Sequence, residues 1–389
     1  MTPGAPGLYV HVPFCSAICP YCDFAVTVGK RATREKFVRA LLREIDHIEE
    51  HGLLETGVLD AGGFDTVYFG GGTPSALEPE DLRTVLDALV QRLGVVPDPD
   101  VHLEVNPEDV ETNVARAWLD LGVRFLSLGI QSMDDAELRF LGRRHRRADA
   151  MRAYETIRST GFDTVSLDLI YGLPDQDARS WEDRVVEVAA LRPDHVSCYQ
   201  LTVHEGTAFA RFRDAGRLVE ADEDRKGDFF AITHRVLGEH GLPAYEVSNF
   251  AGSDEHRSRH NRKYWFGNAY LGIGPSAHSF DGRRRWWNHR DLAAWQARID
   301  ADSSPVLESE ELEPADVALE RVMLGLRTRE GIDLDEIERR CGLDLEPANR
   351  ELASRFAEQG YLRIEGRRWI PTLDGWAIAD ALAREFEIR

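Results

Sequence analysis

Six short apolar segments recur between residues 8 and 201 and constrain the fold more than any other feature. They are Leu8–Val12, Thr66–Phe69, Val101–Val105, Phe125–Ile130, Thr164–Ile170 and Val196–Leu201. After a long first connection they recur every ~30–40 residues, the length of a β-α-β unit. Amphipathic stretches lie between them, for example Glu35–Ile48, Glu80–Leu93 and Asp177–Leu191. Near-continuous apolar strands predict a parallel sheet covered on both faces. The pattern favours an α/β barrel of six units, complete or partial. A doubly wound open sheet has the same periodicity and stays an alternative.

The composition changes near residue 300, which predicts a first domain over 1–300 and a second over 301–389. An acidic stretch, Glu308–Glu313, resembles an exposed connector. The elements predicted after it are helices over Ala315–Leu326, Leu334–Cys341 and Pro347–Gln359, a hairpin over Leu362–Ile370 and a last helix over Trp376–Phe386. Three helices and a hairpin predict a small winged-helix-like α+β domain. Its helices are acidic or mixed in charge, which disfavours DNA binding.

The charge and hydropathy of the chain exclude several classes of protein. Lys and Arg number 47 and Asp and Glu 68, so the net charge is 47 − 68 = −21. Neutralising phosphates needs clustered basic residues, so a general nucleic-acid binder is excluded. No apolar run approaches the ~18–20 residues of a membrane span. The first nine residues lack a basic residue and an apolar core, so we expect no export signal. These features predict a cytoplasmic protein, with a peripheral contact at the inner face of the membrane as an open alternative.

Three of the five cysteines lie within eight residues, just past the first predicted strand. Cys15, Cys19 and Cys22 have the spacing C-x3-C-x2-C, whereas Cys198 and Cys341 stand far away and are interpreted as small buried hydrophobes. Three thiolates can ligate three irons of a cubane cluster and leave the fourth iron open to a small molecule. Zinc is the alternative, but zinc needs four ligands, commonly in paired spacings, and only His11 lies nearby.

Polar and glycine-rich motifs follow the ends of the predicted strands. Parallel α/β barrels build their sites at the carboxyl ends of their strands. The motifs are Gly70-Gly71-Gly72-Thr73-Pro74 after the second strand, Glu104-Val105-Asn106-Pro107 after the third, Gln131-Ser132 after the fourth, and Asp168 within the fifth. Each residue taken singly can be a turn or a helix cap. Together, at consecutive strand ends, they predict one site.

These motifs carry a family resemblance. C-x3-C-x2-C with an aromatic residue before the last cysteine resembles the signature of the radical S-adenosylmethionine superfamily, and the wider pattern is similar to its coproporphyrinogen-dehydrogenase-like branch. The resemblance implies a partial (β/α)6 barrel, a [4Fe–4S] cluster on Cys15, Cys19 and Cys22, and S-adenosylmethionine on the open iron. It further implies that Gly71, Gly72 and Thr73 receive the amino group, that Tyr9 lies beside the methionyl part and that Tyr21 lies beside the cluster. The positions implied to hold the nucleoside are Glu104, Gln131, Arg143 and Asp168.

Two kinds of protein in this branch must be separated. The oxygen-independent coproporphyrinogen III oxidases carry another cysteine two residues after the third cluster cysteine, where this chain has Phe24. The heme chaperones of the branch resemble this chain in having Phe there and an H-N-x-x-Y-W motif, here His260-Asn261-Arg262-Lys263-Tyr264-Trp265. The resemblance implies a chaperone that binds heme and passes it to acceptor proteins, membrane-bound respiratory ones among them. A coproporphyrinogen dehydrogenase or another radical oxidoreductase is the alternative, so enzymatic activity stays open.

The H-N-x-x-Y-W segment can also be interpreted physically. A neutral histidine is a common axial ligand of heme iron, and Tyr264 and Trp265 could stack on a porphyrin. The plain alternative is a segment whose aromatic side chains are core and whose charges are solvated. His260 is the predicted iron ligand; the other candidates are His11, His145, His256 and His278.

Overall fold

The computed structural model of the chain describes residues 4–50 and 62–389; residues 1–3, part of the N-terminal segment considered above, lie outside the described residues. Its strands are β1 Gly7–Val12, β2 Phe14–Cys15, β3 Thr27–Val28, β4 Phe64–Gly71, β5 Val95–Val105, β6 Val123–Gln131, β7 Thr164–Tyr171, β8 His195–Gln200, β9 Asn249–Ala251, β10 Tyr270–Ile273, β11 His278–Phe280, β12 Arg284–Asn288, β13 Val306–Glu311, β14 Ile332–Asp333, β15 Leu362–Glu365 and β16 Arg368–Pro371. Its α-helices are α1 Arg31–Glu50, α2 Pro79–Arg92, α3 Thr112–Asp120, α4 Asp135–Phe140, α5 Arg147–Thr160, α6 Ala178–Ala190, α7 Ala208–Asp214, α8 Glu223–Glu239, α9 Arg259–Trp265, α10 Leu292–Asp300, α11 Pro314–Gly325, α12 Leu334–Cys341, α13 Glu346–Glu358, α14 Leu373–Ala377 and α15 Ala379–Ala383.

All six predicted strands are present and lie side by side in one sheet. The order β1-β4-β5-β6-β7-β8 follows the chain, and every neighbouring pair in it is parallel. A doubly wound sheet reverses its strand order at a switch point, and this run shows no reversal. The sheet ends in β13 on one side and β9 on the other. The architecture is therefore the partial barrel that the resemblance implies.

The apolar strand sequences fit their place in the sheet. In β7 seven of eight residues are buried, as expected for a strand covered on both faces. The main core contains the strand residues Val10, Leu126 and Leu167 together with Trp118 of α3 and Trp181 of α6. The helices pack outside the sheet, and side chains such as Asp177, which accepts from Ser180 N, cap their N-termini.

One segment differs from the sequence-based interpretation, and one strand of the large sheet was not predicted. The acidic stretch near residue 308 is not a connector, because Val306–Glu311 forms β13 and pairs with β12 of the large sheet. The segment Tyr270–Ile273 is strand β10, parallel to β1. Five of the six residues of β13 are exposed, as the edge of a sheet allows, so its acidic composition resembled that of a connector.

The last part of the chain forms a smaller unit with its own core. Helices α11, α12 and α13 pack on a three-stranded sheet of order β14-β16-β15 around Ile332, Phe356 and Trp369. This is the winged-helix-like arrangement expected from the sequence, although the final helix is divided into α14 and α15. The domain boundary after residue 300 stays a prediction, and β13 beyond it belongs to the large sheet.

Over residues 4–50 and 62–389, no helix combines the length and the apolar character that a bilayer span requires.

Candidate functional site

A cavity of about 440 Å³ opens at the carboxyl ends of the parallel strands. Three kinds of segment surround it: the cysteine loop, the loops that follow the strands, and inward side chains of the strands themselves. All of the residues predicted for the cluster and for S-adenosylmethionine except Tyr9 line it, namely Cys15, Cys19, Tyr21, Cys22, Gly71, Gly72, Thr73, Glu104, Gln131, Arg143 and Asp168. The topology thus brings together residues that the chain separates by up to about 150 positions.

The three cysteines form one open loop on the wall of this cavity. All are free and partly exposed, and the Cys22 N–H donates to the Cys19 carbonyl at 3.1 Å, which turns the loop. Thr73 Oγ1 donates to Cys15 Sγ at 3.5 Å, and Arg143 Nη1 donates to Cys19 Sγ at 3.8 Å. Burial raises the pKa of the Cys22 thiol to about 11 and also raises that of Cys15, so metal ligation has to displace protons.

This donor set fits an iron–sulfur cluster better than zinc. His11, the nearby histidine, has both ring nitrogens engaged: Nδ1 with Tyr9 OH at 3.0 Å and Nε2 with the Ala25 carbonyl at 2.9 Å. Within the described ranges, no three His, Cys, Asp or Glu side chains are arranged to hold a single metal ion. An iron–sulfur cubane does not need its ligands to converge on a single metal ion, because each thiolate binds a separate iron. Three thiols on one loop, with the nearby His11 engaged elsewhere, fit that arrangement.

The glycine loop after β4 brings backbone against the cysteine loop. Gly71 has φ +111°, a left-handed conformation, and a Cβ there would lie 2.6 Å from the His11 ring. The Gly71 N–H donates to Glu104 Oε2 at 3.1 Å, and the Gly72 N–H donates to the Val12 carbonyl at 2.8 Å. Only glycine, which has no Cβ, fits at these two positions, so the loop packs closely at the cavity wall.

Two partly buried carboxyl groups face the cavity from β5 and β7. Tyr68 OH donates to Glu104 Oε1 at 2.7 Å, and burial raises the pKa of Glu104 to about 7. Ser127 Oγ lies 2.8 Å from both oxygens of Asp168, and burial raises the pKa of that carboxyl too. Hydroxyl groups therefore hold both carboxyls in place, and both face a space where a ligand with hydroxyl or amino donors would be received.

Gln131 and Arg143 complete the wall beside the cysteines. Gln131 ends β6 with φ +63°, unusual for a residue with a side chain, at a shift in the register between β6 and β7. Arg143 donates from Nη2 to the Gly129 carbonyl at 3.1 Å and also bonds Asn106. The guanidinium is thereby fixed between the cysteine loop and the end of β6, where it supplies positive charge to anionic thiolates.

Tyr9 and Tyr21 have different positions. Tyr21 lines the cavity and packs against Phe209 at 6.3 Å between ring centroids. Tyr9 lies in β1, hydrogen-bonded to His11 and 6.0 Å from the Tyr68 ring, and is not among the lining residues. The predicted contact of Tyr9 with the methionyl part stays a prediction.

The H-N-x-x-Y-W segment lies in helix α9, at the far end of the cavity from the cysteines, and its Asn261 is one of the residues that line the cavity. His260 is 1% exposed; its Nδ1 bonds Thr66 Oγ1 at 2.9 Å and its Nε2 bonds Tyr264 OH at 2.8 Å. Thr66 stands near the amino-terminal end of β4, so α9 packs at the end of the barrel opposite the cysteine loop. The Trp265 carbonyl accepts from Arg321 of α11 at 2.7 Å. The contact of these residues with heme stays a prediction, and ligation by His260 would require one of its two hydrogen bonds to break.

The structure adds residues that sequence reasoning missed. His204 and Asn249 line the cavity, and so do Tyr199 and the buried His195. His204 follows β8 by four residues, so the strand-end rule that located Glu104 and Gln131 could have located it as well. Phe24, considered above only as a mark that separates two protein types, lies at the cavity mouth with 64% of its surface exposed.

Comparisons with known proteins agree with this description. The family model described as the Radical SAM superfamily matches residues 9–186, and that of the HemN C-terminal domain matches residues 312–378. Curated relatives named heme chaperone HemW include those of Mycobacterium tuberculosis (35% identity, 98% of this chain, 95% of that protein) and Bacillus subtilis (30%, 91% and 92%). The solved coproporphyrinogen III oxidase (HemN) of Escherichia coli is similar in fold, with a TM-score of 0.82, 22% identity, and coverage of 98% of this chain and 89% of that one.

Proposed function

We propose that this chain, which belongs to the radical S-adenosylmethionine superfamily and within it to the HemW family, is a heme chaperone that binds a [4Fe–4S] cluster, S-adenosylmethionine and heme, and passes the heme to acceptor proteins. The relatives that it matches over nearly their whole length are named heme chaperones. The observation that carries the choice against an oxidase is Phe24, an exposed aromatic residue at the cavity mouth where the oxidases have a further cysteine.

The cavity supports the proposed cofactors. Cys15, Cys19 and Cys22 would hold three irons, and the Arg143 guanidinium beside Cys19 would offset the negative charge of the thiolates. The glycine loop ending in Thr73 would receive the amino group of S-adenosylmethionine through exposed backbone groups. When bound, the cluster supplies one electron for the reductive cleavage of S-adenosylmethionine.

The remaining wall residues would orient the nucleoside. Glu104 and Asp168 are acceptors for ribose hydroxyl groups, and Tyr68 and Ser127 fix those two carboxyls by hydrogen bonds. Gln131 would add an amide at the end of β6. The partly buried position of the two carboxyls keeps water away from the bound nucleoside, which strengthens each polar contact.

A second candidate function is an oxygen-independent coproporphyrinogen III dehydrogenase or another radical oxidoreductase. The specific observation in its favour is the complete set of cavity residues, because a carrier of heme has no evident need for radical chemistry. Both functions need the cluster and S-adenosylmethionine, so cluster assembly alone does not separate them.

One anaerobic experiment separates the two functions. The cluster-reconstituted protein is incubated with S-adenosylmethionine, a reductant and coproporphyrinogen III, and a parallel sample is titrated with heme and followed by absorbance. Saturable heme binding without protoporphyrinogen formation supports the chaperone. Repeated turnover to protoporphyrinogen would identify a dehydrogenase despite Phe24.

The acceptors of the heme are also a proposal. Heme-accepting proteins, including membrane-bound respiratory ones, would be the partners of a chaperone in this family. The test is transfer from heme-loaded protein to an apo-acceptor, followed by the absorbance of the reconstituted acceptor. A nucleic-acid partner is not proposed, because the net charge of −21 opposes phosphate binding.

A further inference from the structure

The mouth of the cavity carries apolar side chains that the fold leaves exposed. Ile18 and Phe24 are 55% and 64% exposed, and both line the cavity beside the cysteine loop. Both therefore present apolar surface to the same cavity. An exposed apolar surface rimmed by polar groups commonly marks a site that an apolar ligand or partner covers when it binds.

His204 stands at the same mouth with one ring nitrogen free. Its side chain is 49% exposed, and its Nδ1 lies 3.5 Å from Asp23 Oδ2. In the part of the chain that the structure describes, Nε2 of His204 has no partner. A carboxylate on the Nδ1 side favours the tautomer that leaves Nε2 available to a metal, an arrangement common among metal-binding histidines.

The other histidines are less available to iron. Among the described residues, His195 and His204 are the histidines that line the cavity. His195 is buried, with Nδ1 bonded to Ser166 Oγ at 2.8 Å and Nε2 bonded to Tyr245 OH at 2.9 Å. His260 is engaged in the same way at the opposite end of the barrel. Within the cavity, His204 is therefore the imidazole that can bind iron without breaking an internal bond.

Two arginines lie at this mouth, together with the Asp23 carboxylate. Arg144 is exposed and lines the cavity, and the exposed Arg290 donates to the Asp23 carbonyl, next to Phe24. The chain as a whole carries a charge of −21 and repels anions. Arginine forms bidentate pairs with carboxylates, so these residues could hold an anionic ligand against that field.

We propose that heme docks at the cavity mouth, with its macrocycle against Phe24 and Ile18, its iron on His204 Nε2 and a propionate on Arg144. Heme combines an apolar plane, a metal and two carboxylates, and this mouth offers an acceptor for each. The assignment rests on the proposed function, since it presumes that the chain binds heme. Docking here places the heme at the entrance to the cofactor cavity, away from helix α9.

The test is a titration of full-length, cluster-reconstituted protein with ferric heme, followed by the Soret band and by electron paramagnetic resonance. We expect His204→Ala to weaken binding at least ten-fold and to lose the spectrum of a histidine ligand, and added imidazole to restore that spectrum. Phe24→Ala should weaken binding several-fold with the ligand spectrum unchanged. The matched control is His240→Ala, an exposed histidine at the end of α8 whose Nδ1 bonds the Val236 carbonyl at 2.8 Å.

The outcomes separate the two levels of the proposal. If the unaltered protein binds no heme, the proposed function fails. If it binds heme and His204→Ala keeps both the affinity and the ligand spectrum, the function stands and the assignment to the cavity mouth is overturned. A loss of the ligand spectrum in His260→Ala, with His204→Ala unaffected, would overturn it in favour of helix α9. Iron content and cluster absorbance, measured on every variant, show that the cysteine loop is intact.

Discussion

Replacing Gly72 with alanine should disturb the protein much more than such a small change normally does. Gly72 lies in the loop after β4, and its N–H donates to the Val12 carbonyl at 2.8 Å. A Cβ at this position would lie 2.8 Å from the Phe14 carbonyl oxygen and 3.0 Å from Val12 O and Pro13 C. All three atoms are backbone, so no side-chain rotation can relieve the contact, and the two loops must separate.

The cost can be bounded from these contacts. Forcing an extra carbon into a packed region costs about 1–3 kcal/mol, and stretching the bond between Gly72 and Val12 costs roughly 1 kcal/mol more. Phe14 directly precedes Cys15, so the displacement also moves the first ligand of the cluster. We therefore expect a loss of about 2–4 kcal/mol in the free energy of unfolding, by the same overpacking and hydrogen-bond terms, together with lower iron content after reconstitution.

Urea unfolding of the metal-free protein, followed by circular dichroism, measures the free energy of unfolding without a contribution from the cluster. The matched control is Gly227→Ala within α8, where a Cβ meets nothing within 4 Å. That substitution should stabilise the helix by about 0.5–1 kcal/mol, so the two glycine-to-alanine changes should differ in sign. Equal stability of the two variants would refute the steric argument and show that the loop after β4 yields freely.

Three further predictions concern charge, the attachment of the C-terminal unit and the cluster. Burial raises the pKa of Glu104 from its ordinary 4.5 to about 7, so the folded protein keeps this proton longer than the unfolded chain and loses stability as pH rises through that window. The unaltered protein should therefore lose stability relative to Glu104→Gln when the pH rises from 5 to 8, by at most about 3 kcal/mol. Urea titrations of both proteins at the two pH values measure this. The same difference in unfolding free energy at both pH values would contradict the raised pKa of Glu104. Arg321→Ala removes a buried guanidinium that links α11 to the end of α9 and should cost about 2–3 kcal/mol in thermal or urea unfolding, whereas exposed Arg350→Ala should change stability by less than about 0.5 kcal/mol. Cys19→Ser should abolish the cluster absorbance and Cys341→Ser in α12 should preserve it; retention of the full cluster by Cys19→Ser would remove this residue from the ligand set.

Much of the architecture was predictable because it depends on local pattern. The run Phe125–Ile130 is too apolar for a half-exposed strand, and it is buried in the middle of the parallel sheet as β6. Once the strands are placed, the rule that sites form at their carboxyl ends brings Glu104, Gln131 and Asp168 to one cavity. For these residues the local sequence is enough to predict the position in the fold.

The exceptions arose where neighbours in space, not in sequence, decide the environment. The strand β13 is acidic because it lies at the edge of the sheet, opposite the arginines of β12, and its Glu310 is 3.4 Å from Arg285. An acidic composition predicts an exposed connector when that partner is unknown. Tyr270–Ile273 likewise needed β1 beside it to be recognised as a strand.

The histidines show most clearly what the sequence decides and what the tertiary structure decides. The sequence by itself determined the alternation of strands and helices, the cysteine loop with its thiolate chemistry and the polar residues at the strand ends, because each depends on periodicity or spacing along the chain. The strand order that distinguishes a barrel from a doubly wound sheet came only from the tertiary structure. From the sequence His260 was the predicted iron ligand, and His204 was not among the candidates. Tertiary structure alone decided that His260 is closed between Thr66, 194 positions away, and Tyr264, while His204 stands open beside Asp23. The availability of a ring nitrogen depends on hydrogen-bond partners that only folding brings into contact.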